Sequence, residues 1–230
     1  MATTTPQTSP QLQLPMPARY AMAACAVLAP VLFATAGALH PVEVGAEGRE
    51  FVQQFADNLD AYTAPSWLYP IATLLWVPAL LAVARVARSQ SSSLGLIGMV
   101  LAFGLAIPVG LDSNDLAYVA LDNGLDAATI TALMASADTL PSRILGFTWL
   151  AGLIGLIVLG IAILRGRSAP IWAGVALIVA PLAIPASWFS GWAIGLTAAW
   201  VLLAIGFTGC ALSLVTRREP QSTHVIGGAA

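Results

Sequence analysis

The chain contains no lysine, only two cysteines and two histidines, and just 9% of its 230 residues are charged. Soluble domains carry roughly 25% charged residues, so too little charge is present to coat a water-facing surface. The arginines stand against eleven acids for a net charge of −2. No basic patch exists to follow a phosphate backbone, which excludes a nucleic-acid binder. Cys25 and Cys210 are too few for a disulfide framework or a thiolate zinc site. A metal site needs at least three ligands in reach. His224 lies in the C-terminal tail, His40 stands alone, and no His-Glu-x-x-His or intramembrane histidine pair occurs. No metal, haem or other cofactor is expected. What fills the chain instead is apolar: 58% of residues are hydrophobic and the mean hydropathy is +0.84. That composition defines a polytopic membrane protein.

Crossing the hydrocarbon takes about 20 apolar residues in a helix. Charge-free runs at 20–42, 61–84, 89–111 and 144–164 each supply one crossing. The run 168–216 is long enough for two, with a turn at Ser187-Trp188-Phe189-Ser190-Gly191-Trp192. The expected fold is therefore an all-α bundle of six transmembrane helices, spanning about 20–40, 66–86, 94–111, 144–164, 169–187 and 192–215. Ala34-Thr35-Ala36 has the small-residue character of a signal cleavage site. The apolar run continues to Leu39, however, and one Arg behind a long polar leader makes a poor signal peptide, so this run is read as a span.

Arginine distribution orients such a bundle. With six spans, Arg19, Arg85, Arg88, Arg165, Arg167, Arg217 and Arg218 fall on one side together with both termini. The other side receives Arg49, Arg143 and every acid except Glu219. Both ends are thus expected in the cytoplasm of a bacterial plasma membrane. Residues 1–18 and 217–230 read as cytoplasmic tails, disordered over 1–18 and 219–230, and 19–216 as the membrane domain.

Two longer segments remain on the outer side. Phe51, Val52, Phe55, Leu59 and Tyr62 recur at helical spacing among polar residues, predicting an amphipathic helix at about 48–63. Ile130, Leu133, Met134, Ala137 and Leu140 form a second stripe at about 126–140, with Asp126 placed to cap it and Pro141 to end it. These two extracytoplasmic helices are expected to lie over the bundle as lids. Each precedes a Pro-Ser pair that opens the next span, Pro65-Ser66 and Pro141-Ser142, which suggests a duplicated unit. Such repeats often place a pocket between their halves.

Reactive groups gather at one address. His40 ends the first span, Asp112-Ser113-Asn114-Asp115 ends the third, and Arg143 opens the fourth. If these ends converge, His40, Asp112, Asp115 and Arg143 form a polar set suited to acid–base work or to a polar headgroup. The bland alternative is a group of solvated interfacial charges. No charge sits at mid-depth in any span, which argues against a proton- or sodium-coupled pump. Pro30, Pro70, Pro78, Pro108, Pro181 and Pro185 interrupt the spans, as in transporters that line a site with broken helices. Gly95 with Gly98, and Gly152 with Gly155, permit close helix contact.

The Ser-rich inner loop before Leu94-Gly95-Leu96-Ile97-Gly98, together with Arg167-Ser168-Ala169-Pro170-Ile171-Trp172 between spans four and five, resembles uncharacterised bacterial six-span membrane proteins of the domain-of-unknown-function type. The Ala-rich, Lys-free composition is similar to that of actinobacterial proteins. The resemblance implies an architecture and no activity. The expected role is non-catalytic: binding or passing a hydrophobic, lipid-like molecule, or supporting a partner membrane protein. The alternative is an intramembrane enzyme acting on a lipid or isoprenoid at the outer leaflet.

Overall fold

The computed structural model describes residues 15–106, 113–137 and 139–216, and among them every regular element is helical. Five helices are long and apolar enough to cross a membrane. They are α1 (Met16–Ala38), α3 (Thr63–Arg88), α7 (Leu140–Gly166), α8 (Ile171–Phe189) and α9 (Ala193–Thr216). Between them lie α2 (Gly48–Asp57), α4 (Ser92–Ala102), α5 (Ser113–Asp122) and α6 (Ala127–Ala137). The third charge-free run is described as α4 followed by a 3-10 turn at Phe103–Ala106; Pro108 and the rest of 107–112 lie outside the described residues. So do 1–14 and 217–230, which hold most of both tails; residues 16–18 belong to the first turn of α1.

Bilayer interiors offer no hydrophobic gain between helices, so association depends on close packing. α1 packs on α3 and α9, α9 on α8, α8 on α7, α7 on α4 and α4 on α3, while α3 also reaches α7 and α9 across the centre. Glycines set the spacing. A Cβ on Gly155 would strike the Ala102 backbone, and one on Gly104 the Thr148 carbonyl, so α4 and α7 meet backbone to backbone. Gly160 and Gly174 do the same for α7 and α8, where a Cβ on Gly160 would stand 2.8 Å from the Gly174 carbonyl oxygen. The pair Gly152 and Gly155, which meet Leu105 and Ala102, is thus used within one chain. At the centre Trp76 is 1% exposed and meets Phe33, Trp200 and Phe207 at ring separations of 5.7, 6.4 and 5.3 Å.

The turns explain two sequence signals. Arg167, at φ +47°, takes the left-handed position that ends α7, and the Ser168 N–H reaches back to the Ile163 carbonyl. Pro170 then opens α8, and Trp172 lies over Gly209 of α9. Gly191, at φ +66°, closes the α8–α9 turn within the anticipated hexapeptide. Gly166 packs beside Gln90, so the turns bearing Arg85, Arg88, Arg165 and Arg167 share one end of the bundle.

The opposite end carries the described acids on a separate small structure. Val42, Val52, Phe55, Tyr62, Ala117, Ala120 and Ile130 form its own buried core, distinct from that of the bundle. α2, α5 and α6 converge on that core, together with a 3-10 turn at Leu59–Tyr62. The sequence expectation differs here in three respects. The helix expected over 48–63 breaks at Asn58, α5 had no counterpart, and α6 ends at Ala137, so Pro141 falls in the first turn of α7.

Asp126 caps α6 as its position suggested. Its Oδ1 accepts the N–H groups of Ala128 and Thr129 at 3.0 Å, and its Oδ2 accepts the Thr129 hydroxyl at 2.7 Å. The Thr129 hydroxyl bond, followed by that of the Thr129 N–H, holds the carboxyl below its ordinary value. A lowered folded pKa means the cap is fully effective at neutral pH and is lost as pH falls through that value. Amide exchange in α6, corrected for intrinsic rates, is therefore expected to quicken below about pH 4, in the Asp range. In Asp126→Ala the exchange should be fast at every pH, with that inflection gone.

Candidate functional site

His40 follows α1 by two residues and turns its ring inward, beneath the small outer structure. Its Nε2 stands 3.1 Å from Asn114 Oδ1, while the Val42 N–H reaches Nδ1 at 3.3 Å. Nδ1 also lies 3.4 Å from the Val42 carbonyl oxygen, so the Val42 backbone and the Asn114 amide together hold both ring nitrogens. Aromatic edges enclose it: Tyr62 at 5.4 Å, Phe55 at 5.8 Å and Tyr69 at 6.4 Å. Tyr62 is fully buried, and its hydroxyl donates to Asp115 Oδ1 at 3.1 Å.

Two of the four sequence candidates therefore come to one place. His40 and Asp115 are joined through Tyr62, which touches the first by its ring and the second by its hydroxyl. Asp112 and the Arg143 side chain lie outside the described residues. Asn114 and Tyr62 complete the link, and sequence reasoning named neither as a site residue. Asn114 sits inside the acidic quartet, where the charged neighbours draw attention, and Tyr62 reads as one more member of an apolar stripe. Among the described residues no three His, Cys, Asp or Glu side chains converge as a metal site would require.

The aromatic contacts continue downward. Tyr69 meets Phe33 at 5.3 Å, and Phe33 stacks on Trp200 at 5.0 Å. A run of rings thus leads from Phe51 and Phe55 through His40 to the Trp76 cluster at the centre. On the outward side of the same α1–α9 contact lies an open apolar groove of about 320 Å³. Val31, Thr35 and Leu39 of α1 line it opposite Thr197 and Val201 of α9. The Thr35 hydroxyl is bonded to the Val31 carbonyl at 2.9 Å, so what it shows the groove is its methyl. The outer end of the groove stops at Leu39, the residue before His40.

No protein-family model, no curated protein and no solved structure matches the chain. What the fold does show is a helical protein in which, among the described residues, five helices are long and apolar enough to cross a membrane.

Proposed function

We propose that this chain is a six-span protein of a bacterial plasma membrane, both termini cytoplasmic, that binds a hydrophobic, lipid-like molecule in the groove between α1 and α9. The observation that carries the reading is the groove itself. It is apolar, it opens sideways from two membrane-spanning helices, and its volume of about 320 Å³ falls at the small end of ligand pockets, suited to a single hydrocarbon chain. The sixth crossing is supported by geometry: α4 begins against Arg88 at the arginine end, and Asn114 of α5 lies against His40 at the acidic end. The sorting of arginines to one end supports the orientation.

A non-catalytic role suits the polar link better than an enzymatic one. Both His40 ring nitrogens are engaged with the Val42 backbone and Asn114, which fixes the ring rather than presenting it to a substrate. The test is purification in mild detergent followed by native mass spectrometry. The wild-type protein is expected to retain one lipid-like species stoichiometrically, and Thr35→Trp or Ala38→Trp, each filling the groove from an exposed position, should lose it. Equal retention in the filled variants, or none in the wild type, counts against the proposal.

A further inference from the structure

α6 differs from the rest of the outer structure in having no charge between 127 and 137. Its hydroxyls are also spent locally. Thr129 donates to Asp126, Thr131 to the Ala127 carbonyl at 2.7 Å, and Ser136 to the Leu133 carbonyl at 2.7 Å. Only Ile130 is fully buried in the outer core, while Leu133 is 41% exposed and Ala128, Ala132, Ala135 and Ala137 are exposed beside it. α2, in the same structure, behaves as a water-facing helix should: it buries Val52 and Phe55 and turns Arg49, Glu50, Gln53 and Asp57 outward. α6 offers water an uncharged face, mostly alanine with Leu133, whose exposed Thr129 and Ser136 hydroxyls donate within the helix or to its cap.

The connection to α7 says what covers that face. α7 has 27 residues and so is about 40 Å long, some 10 Å more than the hydrocarbon it crosses. The stretch Gly146–Gly166 is itself about the right length for the hydrocarbon. Residues 140–145 then pass through the outer headgroup layer, with Leu140 71% exposed and Ile144 also exposed, and α6 ends three residues before them. The C-terminal end of α6 is therefore held within three residues of a helix whose own outer turns expose Leu140, Ile144 and, at 67%, Phe147.

We infer that α6 lies against the outer leaflet, its Ala132–Leu133 face in the lipid headgroup layer, so that the outer structure is moored to the bilayer on the α7 side and faces water on the α2 side. Uncharged apolar surface supplies the attachment, with Asp126 left at the wet end of the helix. The inference is independent of what the groove holds. It assigns α6 a lipid surface as partner, in place of a second protein.

The test uses the full chain in liposomes with Cys25 replaced by serine and Cys210, fully buried, left in place. Nitroxide labels are placed at Leu133→Cys and Ala132→Cys, with Phe147→Cys as the lipid reference and Gln53→Cys as the water reference. The readout is the ratio of collisions with oxygen, which concentrates in lipid, to those with a water-soluble nickel chelate. The α6 labels are expected to give a ratio several-fold above Gln53→Cys and approaching Phe147→Cys. A ratio equal to that of Gln53→Cys overturns the inference. So does exclusion of both reagents, the mark of a face covered by protein. Two positions are used so that a local disturbance at one leaves the other to decide.

Discussion

Gly155→Ala is expected to lower the melting temperature of the detergent-solubilised protein by about 10 °C, from roughly 3 kcal/mol lost in a chain of this size. Gly146→Ala should leave it level or slightly raised. The two substitutions add the same methyl group to the same helix, and each brings the helix-propensity gain of alanine over glycine, up to about 1 kcal/mol. They differ only in surroundings. Around Gly146 nothing lies within 4 Å of an added Cβ. At Gly155 that Cβ would collide with the Ala102 backbone nitrogen, with its Cα and the Leu101 carbonyl carbon 2.7 Å away. Backbone cannot yield by changing rotamer, so α4 itself has to retreat. Retreat would also open the contacts of Gly98 with Leu159 and of Gly152 with Leu105, because all lie along one antiparallel seam. Lipid tails solvate the separated faces as well as protein does, so nothing restores the lost packing. Equal effects at 146 and 155 would show that α4 and α7 do not meet at this seam.

That seam illustrates what could be read from sequence and what could not. Charge-free runs located the membrane-spanning helices because hydrocarbon excludes charge, a constraint that acts residue by residue. Glycine pairs announced close contact, but which helix they meet depends on the rotation of each helix about its axis. Hydropathy is nearly uniform around α7, α8 and α9 and carries no such angle. The groove was invisible for the same reason: it exists only because Val31, Thr35 and Leu39 of α1 meet Thr197 and Val201 of α9 on one side. In the outer segments the 3.6-residue pattern located α2, whose polar and apolar residues alternate sharply. It was weaker for α5 and α6, where alanine is common and buried and exposed positions are occupied by similar residues. At the site, His40 and Asp115 stood out as titratable groups at span ends. Asn114 and Tyr62 act through neutral hydrogen bonds, and composition does not flag those.

Phe55→Ala is expected to unfold the outer structure while leaving the bundle intact. Phe55 is fully buried and meets Tyr62 at 4.8 Å, Phe51 at 5.2 Å and His40 at 5.8 Å. This core stands outside the hydrocarbon, so truncation removes hydrophobic burial and leaves a cavity as well, about 3–5 kcal/mol for a buried Phe. Among the described residues the outer core contains seven well-buried side chains, and small structures hold little stability in reserve. A loss of that size exceeds what its remaining contacts can supply. The bundle has a separate core around Trp76 and Leu80 and makes no use of Phe55. Brief proteolysis should therefore cut Phe55→Ala between residues 43 and 62 and between 113 and 137 while the spans resist. Tyr62→Phe keeps the ring and loses the bond to Asp115, so its cleavage should be slower than that of Phe55→Ala and faster than that of wild type. The ring run through His40 and Tyr69, and the passage of Tyr62 directly into α3, are routes by which damage could spread inward. If Phe55→Ala melts the bundle along with the outer structure, the two cores are one cooperative unit, and the separation of the packing into two clusters has no energetic meaning.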